Sequence, residues 1–296
     1  MIVKLKNVVK LMRPHQYVKN LFIFLPLFFD GQITDLELLK EALLAFIAFS
    51  FTASSIYILN DYLDIAADLQ HPAKKHRPLA SGLISKKEAI LLFIAFLAIG
   101  IVLISIQNTY ALYVLLAYVA LNIAYCFVLK HVAILDITVI AIGFVLRLFI
   151  GSFVTGVPLS KWIVIMTFLL ALFLALAKRR DDVLHFLDTG AKMRKVIDGY
   201  NLKLIDAGMM IMASTVIVTY ILYTTSTEVI ARIQNEYLYL TSFFVILGIL
   251  RYSQLSLLEN NSGSPSKIIL TDRFLILTIL AWVFSFVWII YLNNNS

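Results

Sequence analysis

Apolar residues run in long, nearly unbroken blocks along this chain, and polar residues gather in the gaps between them. Nine blocks stand out, at 17–30, 38–59, 89–106, 110–129, 133–153, 161–177, 205–224, 236–251 and 273–292. Most approach the ~20 residues a helix needs to cross a bilayer, and two or three are shorter. The pattern predicts an all-α polytopic membrane protein, a single integral-membrane domain over residues 1–296. Residues 1–16 read differently. Basic and apolar residues alternate there at helical spacing, which predicts an amphipathic helix lying on the membrane surface. Two polar stretches, 60–88 and 178–204, are long enough to form loops that cap one face.

Composition agrees with the pattern. Hydrophobic residues make up 61% of the chain and charged residues 15%, with a mean hydropathy of +0.89. A soluble domain of this length would expose far more charge. The net charge of +7 is explained by its placement: 21 of the 25 Lys and Arg residues fall in the N-terminal segment and on the same side of alternate blocks. That asymmetry predicts a multi-pass protein of the cell inner (plasma) membrane, with the N-terminus and both long polar stretches cytoplasmic and the C-terminus outside. No nucleic-acid partner is needed to account for it. Cys126 is the lone cysteine and sits in an apolar block, so it reads as a packing residue without a disulfide framework. No cleavable signal peptide is expected, because basic residues run through the first 20 positions.

The chemistry concentrates in the first polar stretch. Asp61, Asp64 and Asp68 fall at i, i+3 and i+7, on one face of a helix. Three converging carboxylates repel one another unless a cation sits among them, and hard oxygen ligands suit Mg²⁺, which commonly bridges to a substrate phosphate. Lys74, Lys75 and Arg77 follow at once, so carboxylates and cations alternate as a Mg²⁺–diphosphate complex requires. Ser50, Ser54 and Tyr57 lead into Asp61 as a polar stripe that should face a cavity or a partner helix. The second stretch opens with Lys178, Arg179, Arg180, Asp181 and Asp182, with His185 and Asp188 on the Asp181 face. Further along the chain, Tyr118, Asn122 and Tyr125 line one helix face ahead of Lys130 and His131. Asp136 and Arg147 share a face three helical turns apart, with Gly143 between them. A buried Arg needs a partner or water, so Arg147 is either in an ion pair or beside a substrate cavity.

Asn60, Asp61, Asp64 and Asp68, followed by Arg77, Pro78 and Gly82, resemble the first signature of the UbiA-type superfamily of intramembrane prenyltransferases. The likeness extends over the whole chain. It is most similar to the branch that transfers phosphoribose to a polyprenyl (decaprenyl-type) phosphate, through RPHQYVKN at Arg13 to Asn20, HPAK at His71 to Lys74, YCFVLKH at Tyr125 to His131 and KRRDDV at Lys178 to Val183. The pairing of Arg251-Tyr252 with Asp272-Arg273 also fits. Prenyl-diphosphate members usually carry an Arg-Thr pair ahead of the Arg-Pro element, where this chain has Ala73 and Lys74. Asp182 stands where the branch commonly has Glu, and Ala66 where close relatives often have Glu.

The resemblance implies nine helices ringed around a central cavity beneath two cytoplasmic loops. It implies a Mg²⁺-dependent glycosyltransferase whose donor is phosphoribosyl diphosphate and whose acceptor is a polyprenyl phosphate lipid entering from the membrane lipids. The implied metal ligands are Asn60, Asp61, Asp64 and Asp68, and the implied catalytic residues are Asp61, Asp64 and Lys130. The implied substrate-binding residues are Lys19, Lys74, Arg77, Tyr125, Lys130, Arg147, Lys178, Arg179, Asp182 and Tyr200. An acceptor phosphate is already anionic, so no strong general base is required. Displacement with inversion at the anomeric carbon is the expected course. Two alternatives stay open: transfer of an isoprenoid from its diphosphate to an aromatic or other small acceptor, and a lipid or ion-coupled transporter. Homo-oligomer formation is left open as well.

Overall fold

Helices supply all the regular secondary structure among the described residues, which in this computed structural model are 2–70, 74–190, 192, 195–259 and 265–292. In chain order the α-helices are α1 (Ile2–Met12), α2 (Leu25–Phe29), α3 (Leu36–Leu63), α4 (Ile65–Gln70), α5 (Lys86–Ser105), α6 (Thr109–Phe127) and α7 (Leu135–Thr155). They continue with α8 (Lys161–Thr189), α9 (Leu202–Thr225), α10 (Thr227–Ile233), α11 (Ser242–Leu257), α12 (Pro265–Thr271) and α13 (Arg273–Val287). Among the described residues, eight helical segments are long and apolar enough to cross a membrane. They account for eight of the nine expected blocks. The remaining block, 17–30, is not one α-helix: a 3₁₀ stretch, Pro14–Phe24, runs into the five residues of α2. Pro26 lacks the backbone N–H that a continuous helix would need there.

Other boundaries depart from expectation for local reasons. Helix α1, expected to run to residue 16, stops at Met12, because Arg13 takes a left-handed conformation (φ 57°) and Pro14 follows. The second polar stretch does not begin as a loop at 178. α8 carries on through Lys178–Asp188 and ends at Thr189, where Gly190 (φ 70°) closes the helix. In the first stretch α3 ends at Leu63, α4 adds a short turn of helix, and a capping box between Ser85 and Glu88 starts α5. His71, Pro72 and Ala73 of the HPAK element lie outside the described residues, as do residues 262–264 of the SGSPS turn and the last four residues.

The chain divides into two compact units. One comprises residues 1–129 and 143–159, and the other comprises 130–142 and 160–296. In the first unit α3 is the packing centre. Its small residues Ala45, Ala48, Ser50, Thr52, Ala53 and Ser54 are buried, which lets neighbouring backbones come close. Gly100 of α5 lies against α3 so tightly that a Cβ there would meet the Ala48 carbonyl oxygen at 2.7 Å. A Cβ on Gly151 of α7 would overlap the Ile23 carbonyl. Gly151→Ala is therefore expected to cost about 1–3 kcal/mol, read as a lowered melting temperature in detergent. Gly208→Ala is the comparison, because its Cβ would press only on the end of the Leu176 side chain, at 3.2 Å, and should cost less.

The second unit is held by an apolar core that includes Phe173, Leu176, Ile205, Met209, Ile249, Leu255 and Leu275. Arg180 is buried within it. Its guanidinium donates to Asp206 of α9 (2.8 Å) and to the Ser256 carbonyl near the end of α11 (2.7 Å), so three helices share one cation. Asp272 caps α13 through the Leu275 N–H, and it accepts from Arg251 Nη2 at 2.7 Å. Those hydrogen bonds hold its carboxyl below the usual carboxylate range.

Candidate active site

The first unit gathers the leading acidic signature at the end of α3. Asp61 and Asp68, seven residues apart, turn to the same side and are both buried. Arg77 bridges them: its Nη1 donates to Asp61 Oδ1 at 2.9 Å and to Asp68 Oδ2 at 2.7 Å. Asp64 stands at the break between α3 and α4, as the C-cap of α3, and accepts from Asn60 Nδ2 at 3.0 Å. Cys126 is buried, with its Sγ 3.7 Å from Asn60 Oδ1, as a packing neighbour would be. The backbone N–H of Arg77 donates to the Lys74 carbonyl at 2.9 Å, which places Lys74 on the turn that presents Arg77. Lys19 and Tyr125 are half-buried.

One residue of this cluster was not assigned a site role from the sequence. Arg13, from the junction that follows α1, donates through Nη2 to the same Asp61 Oδ1 that Arg77 holds. Its guanidinium also lies 5.3 Å from the centre of the Tyr57 ring. The Ser50–Ser54–Tyr57 stripe is thus covered by the N-terminal segment. The hydroxyls of Tyr17 and Ser54 share a hydrogen bond (2.8 Å), Ser54 Oγ donates to the Met12 carbonyl (3.0 Å), and Asn20 donates to Ser50 (2.9 Å). The sequence signal for Arg13 was its place at the head of the RPHQYVKN element.

Arg147 belongs to a different network of the first unit. Its Nε donates to Asn20 Oδ1 at 2.9 Å and its Nη1 to the Gly143 carbonyl at 2.6 Å. Its guanidinium lies 4.6 Å from the Phe49 ring centre, 5.3 Å from Tyr118 and 5.4 Å from Phe144. The charge is met by amide oxygens and π-faces rather than by a carboxylate. Asp136, the partner suggested by the shared helix face, has its own ion pair within the second unit.

There, Asp136 is fully buried at the start of α7. It accepts from Arg179 Nε at 2.6 Å through Oδ2 and from the Tyr200 hydroxyl at 2.6 Å through Oδ1. Arg179 Nη1 donates to Asp182 at 2.6 Å. Tyr200 in turn accepts from the Ile134 backbone N–H at 2.8 Å, which ties down a residue of positive φ (70°). Burial, and the hydrogen bond donated to Asp136, push the Tyr200 hydroxyl well above an ordinary phenol, so it stays protonated. Arg179, Asp182 and Tyr200, expected as substrate contacts, are thus brought together around Asp136. Lys130 and Lys178 of the same unit are half-buried.

The donor atoms in the first unit are hard oxygens. Among the described residues no three acidic, His or Cys side chains converge as a preformed metal cage. Magnesium does not need one: it typically takes one or two protein carboxylates and completes its shell with substrate phosphates and water. Asn60, Asp61, Asp64 and Asp68 fit that use.

Among the described residues the regular structure is all helical, eight segments are of membrane-crossing length, and an Asp–Arg cluster is buried at the end of α3, as an intramembrane enzyme would have. The UbiA prenyltransferase family model matches residues 27–275, and the chain belongs to that family. It is a multi-pass membrane protein. Over 290 residues it is 30% identical to a decaprenyl-phosphate phosphoribosyltransferase of Corynebacterium glutamicum, covering 97% of this chain and 87% of that protein. Over 288 residues it is 32% identical to the enzyme of the same name from Mycolicibacterium smegmatis, covering 94% of this chain and 90% of the relative. In fold it resembles a UbiA homolog from Archaeoglobus fulgidus solved with DMAPP and Mg²⁺ (TM-score 0.71, 20% identity, 95% of this chain and 99% of that one).

Proposed function

We propose that this protein transfers 5-phosphoribose from phosphoribosyl diphosphate to a polyprenyl phosphate, releasing diphosphate. The observation that carries the reading is the acidic and cationic cluster of Asp61, Asp68, Arg77 and Arg13, taken with the named relatives that match nearly the full length. A donor diphosphate needs a divalent ion on its oxygens and cations beside it. When bound, Mg²⁺ would neutralise those oxygens and favour departure of the diphosphate. Asn60, Asp61, Asp64 and Asp68 are its proposed ligands.

The chain's own groups do the rest. Arg77 and Lys74 hold donor phosphate. Arg179 and Tyr200, fixed around Asp136, keep the end of α8 and the turn before α9 in place. In the transfer itself, an oxygen of the lipid phosphate bonds to ribose C1 as the C1–O bond to diphosphate breaks, and the bonding pair leaves with diphosphate. Guanidinium and ammonium groups aimed at that leaving oxygen stabilise the transition state more than the ground state, because charge gathers there as the bond stretches. The acceptor phosphate carries its own negative charge, so no buried base is required. Inversion at C1 follows, and a product with the donor's anomeric configuration would contradict it.

The positive-inside pattern supports placement in the cell inner membrane with the N-terminus and these clusters cytoplasmic. Donor choice is tested by thermal denaturation of the detergent-purified chain. Phosphoribosyl diphosphate with Mg²⁺ is expected to raise the melting temperature, by about 2.7 kcal/mol of linkage at a ligand concentration 100 times Kd. Stabilisation by a prenyl diphosphate with Mg²⁺, and none by phosphoribosyl diphosphate, would instead favour the prenyl-donor alternative.

A further inference from the structure

We propose that Arg13 is a placeholder cation on Asp61, one that gives up the carboxylate to the divalent ion and moves onto the donor diphosphate. The second half of that exchange rests on the donor reading above; the first half does not.

The geometry poses the question. Two guanidinium groups converge on one oxygen, Asp61 Oδ1. Arg77 already joins Asp61 to Asp68, so the charge of Asp61 is met without Arg13. Like charges brought to one acceptor repel, and the arrangement holds only while the oxygen stays anionic and uncoordinated. A divalent ion on that oxygen would make three cations at one atom, and one of them must leave.

Arg13 is the one built to leave. Its backbone is left-handed (φ 57°), an uncommon state for a residue with a side chain, at the junction between the end of α1 and the 3₁₀ stretch. The last turn of the helix before it is held in two places. Lys10 Nζ donates to the His76 carbonyl at 3.1 Å, and the Met12 carbonyl accepts from Ser54. The side chain can therefore swing while its backbone stays put. Its side chain is 20% exposed, against 2% for Asp61, so solvent and a ligand can reach it. The face of Tyr57 accompanies the guanidinium and offers it support away from the carboxylate. A guanidinium freed beside a newly bound metal complex has one strong anionic partner at hand, the phosphate oxygens of the donor.

The exchange makes a prediction with two opposite signs. Mn²⁺ binding to the full-length chain in detergent, without donor, is read by the loss of the free-ion electron paramagnetic resonance signal. Arg13→Gln is expected to bind Mn²⁺ about 5-fold or more tightly, because the competing cation is gone. The KM for Mg²⁺–phosphoribosyl diphosphate is expected to rise about 10-fold or more in the same variant, since one charge-assisted contact is lost. Should Arg13→Gln fail to fold, Arg13→Lys is expected to show both signs at smaller size, because an ammonium cannot reproduce the guanidinium geometry. A purely structural Arg13 would weaken metal and donor together, and unchanged or weaker Mn²⁺ binding overturns the exchange. If Mn²⁺ binding tightens but the wild-type chain does not use phosphoribosyl diphosphate, the placeholder role stands and the donor reading falls.

Discussion

An Asp61→Asn chain is expected to keep no more than about one-hundredth of the wild-type kcat/KM, the loss typical when a charged group central to transition-state stabilisation is removed. Asp61 is 2% exposed and is the carboxylate on which Arg13 and Arg77 meet. The amide is nearly isosteric and removes only the charge. Two effects then add. The site loses a proposed metal ligand, and two guanidinium groups face each other across a neutral oxygen with Asp68 alone to offset them. Stability should fall as well, toward the ~3 kcal/mol seen when one partner of a buried pair is lost, and less to the extent that water screens the partly exposed arginines. Turnover and melting temperature measured on one preparation separate the two. Activity near wild type in a folded Asp61→Asn chain would remove Asp61 from the metal set.

Asp136→Ala is expected to lower stability by about 3–5 kcal/mol. Arg179 is 2% exposed and would lose the carboxylate on its Nε, while the buried Tyr200 hydroxyl would lose its acceptor. Asp182 would still hold Arg179 Nη1, which moderates the loss. Tyr200→Phe removes the hydroxyl and leaves the ion pair intact, so it should cost about 1–3 kcal/mol. Thermal denaturation of the two variants checks the order. Equal losses would mean that the network is held through Tyr200 rather than through the Asp136–Arg179 pair.

Long apolar blocks made the membrane-spanning helices legible, because a bilayer demands length and apolarity whatever the tertiary contacts. Their ends were less legible. The polar run Lys178–Asp188 looked like a loop on leaving the membrane, yet helix hydrogen bonding continues unbroken to Gly190. The first block read as a helix, but it is divided into the end of a 3₁₀ stretch that starts at Pro14 and a turn and a half of α-helix that carries Pro26. At the site, Asp61 and Asp68 could be paired by helical period, and Arg77 was placed beside them by its short separation. Arg13 with Asp61 and Arg179 with Asp136 lie 48 and 43 residues apart. No periodicity connects such residues, so their pairing emerges only when the helices pack. Arg147 shows the reverse failure: a shared face with Asp136 suggested a pair, whereas three aromatic rings and Asn20 take the charge instead.

The central claim is that the lipid is the acceptor and the sugar phosphate the donor. Its most direct test supplies the purified chain with Mg²⁺, phosphoribosyl diphosphate and a polyprenyl phosphate, and determines the mass of the lipid product. The expected result is a polyprenyl phosphate carrying one phosphoribosyl group, with one diphosphate released per lipid. An unchanged lipid phosphate, together with prenylation of an aromatic acid in a parallel reaction supplied with prenyl diphosphate, would contradict it.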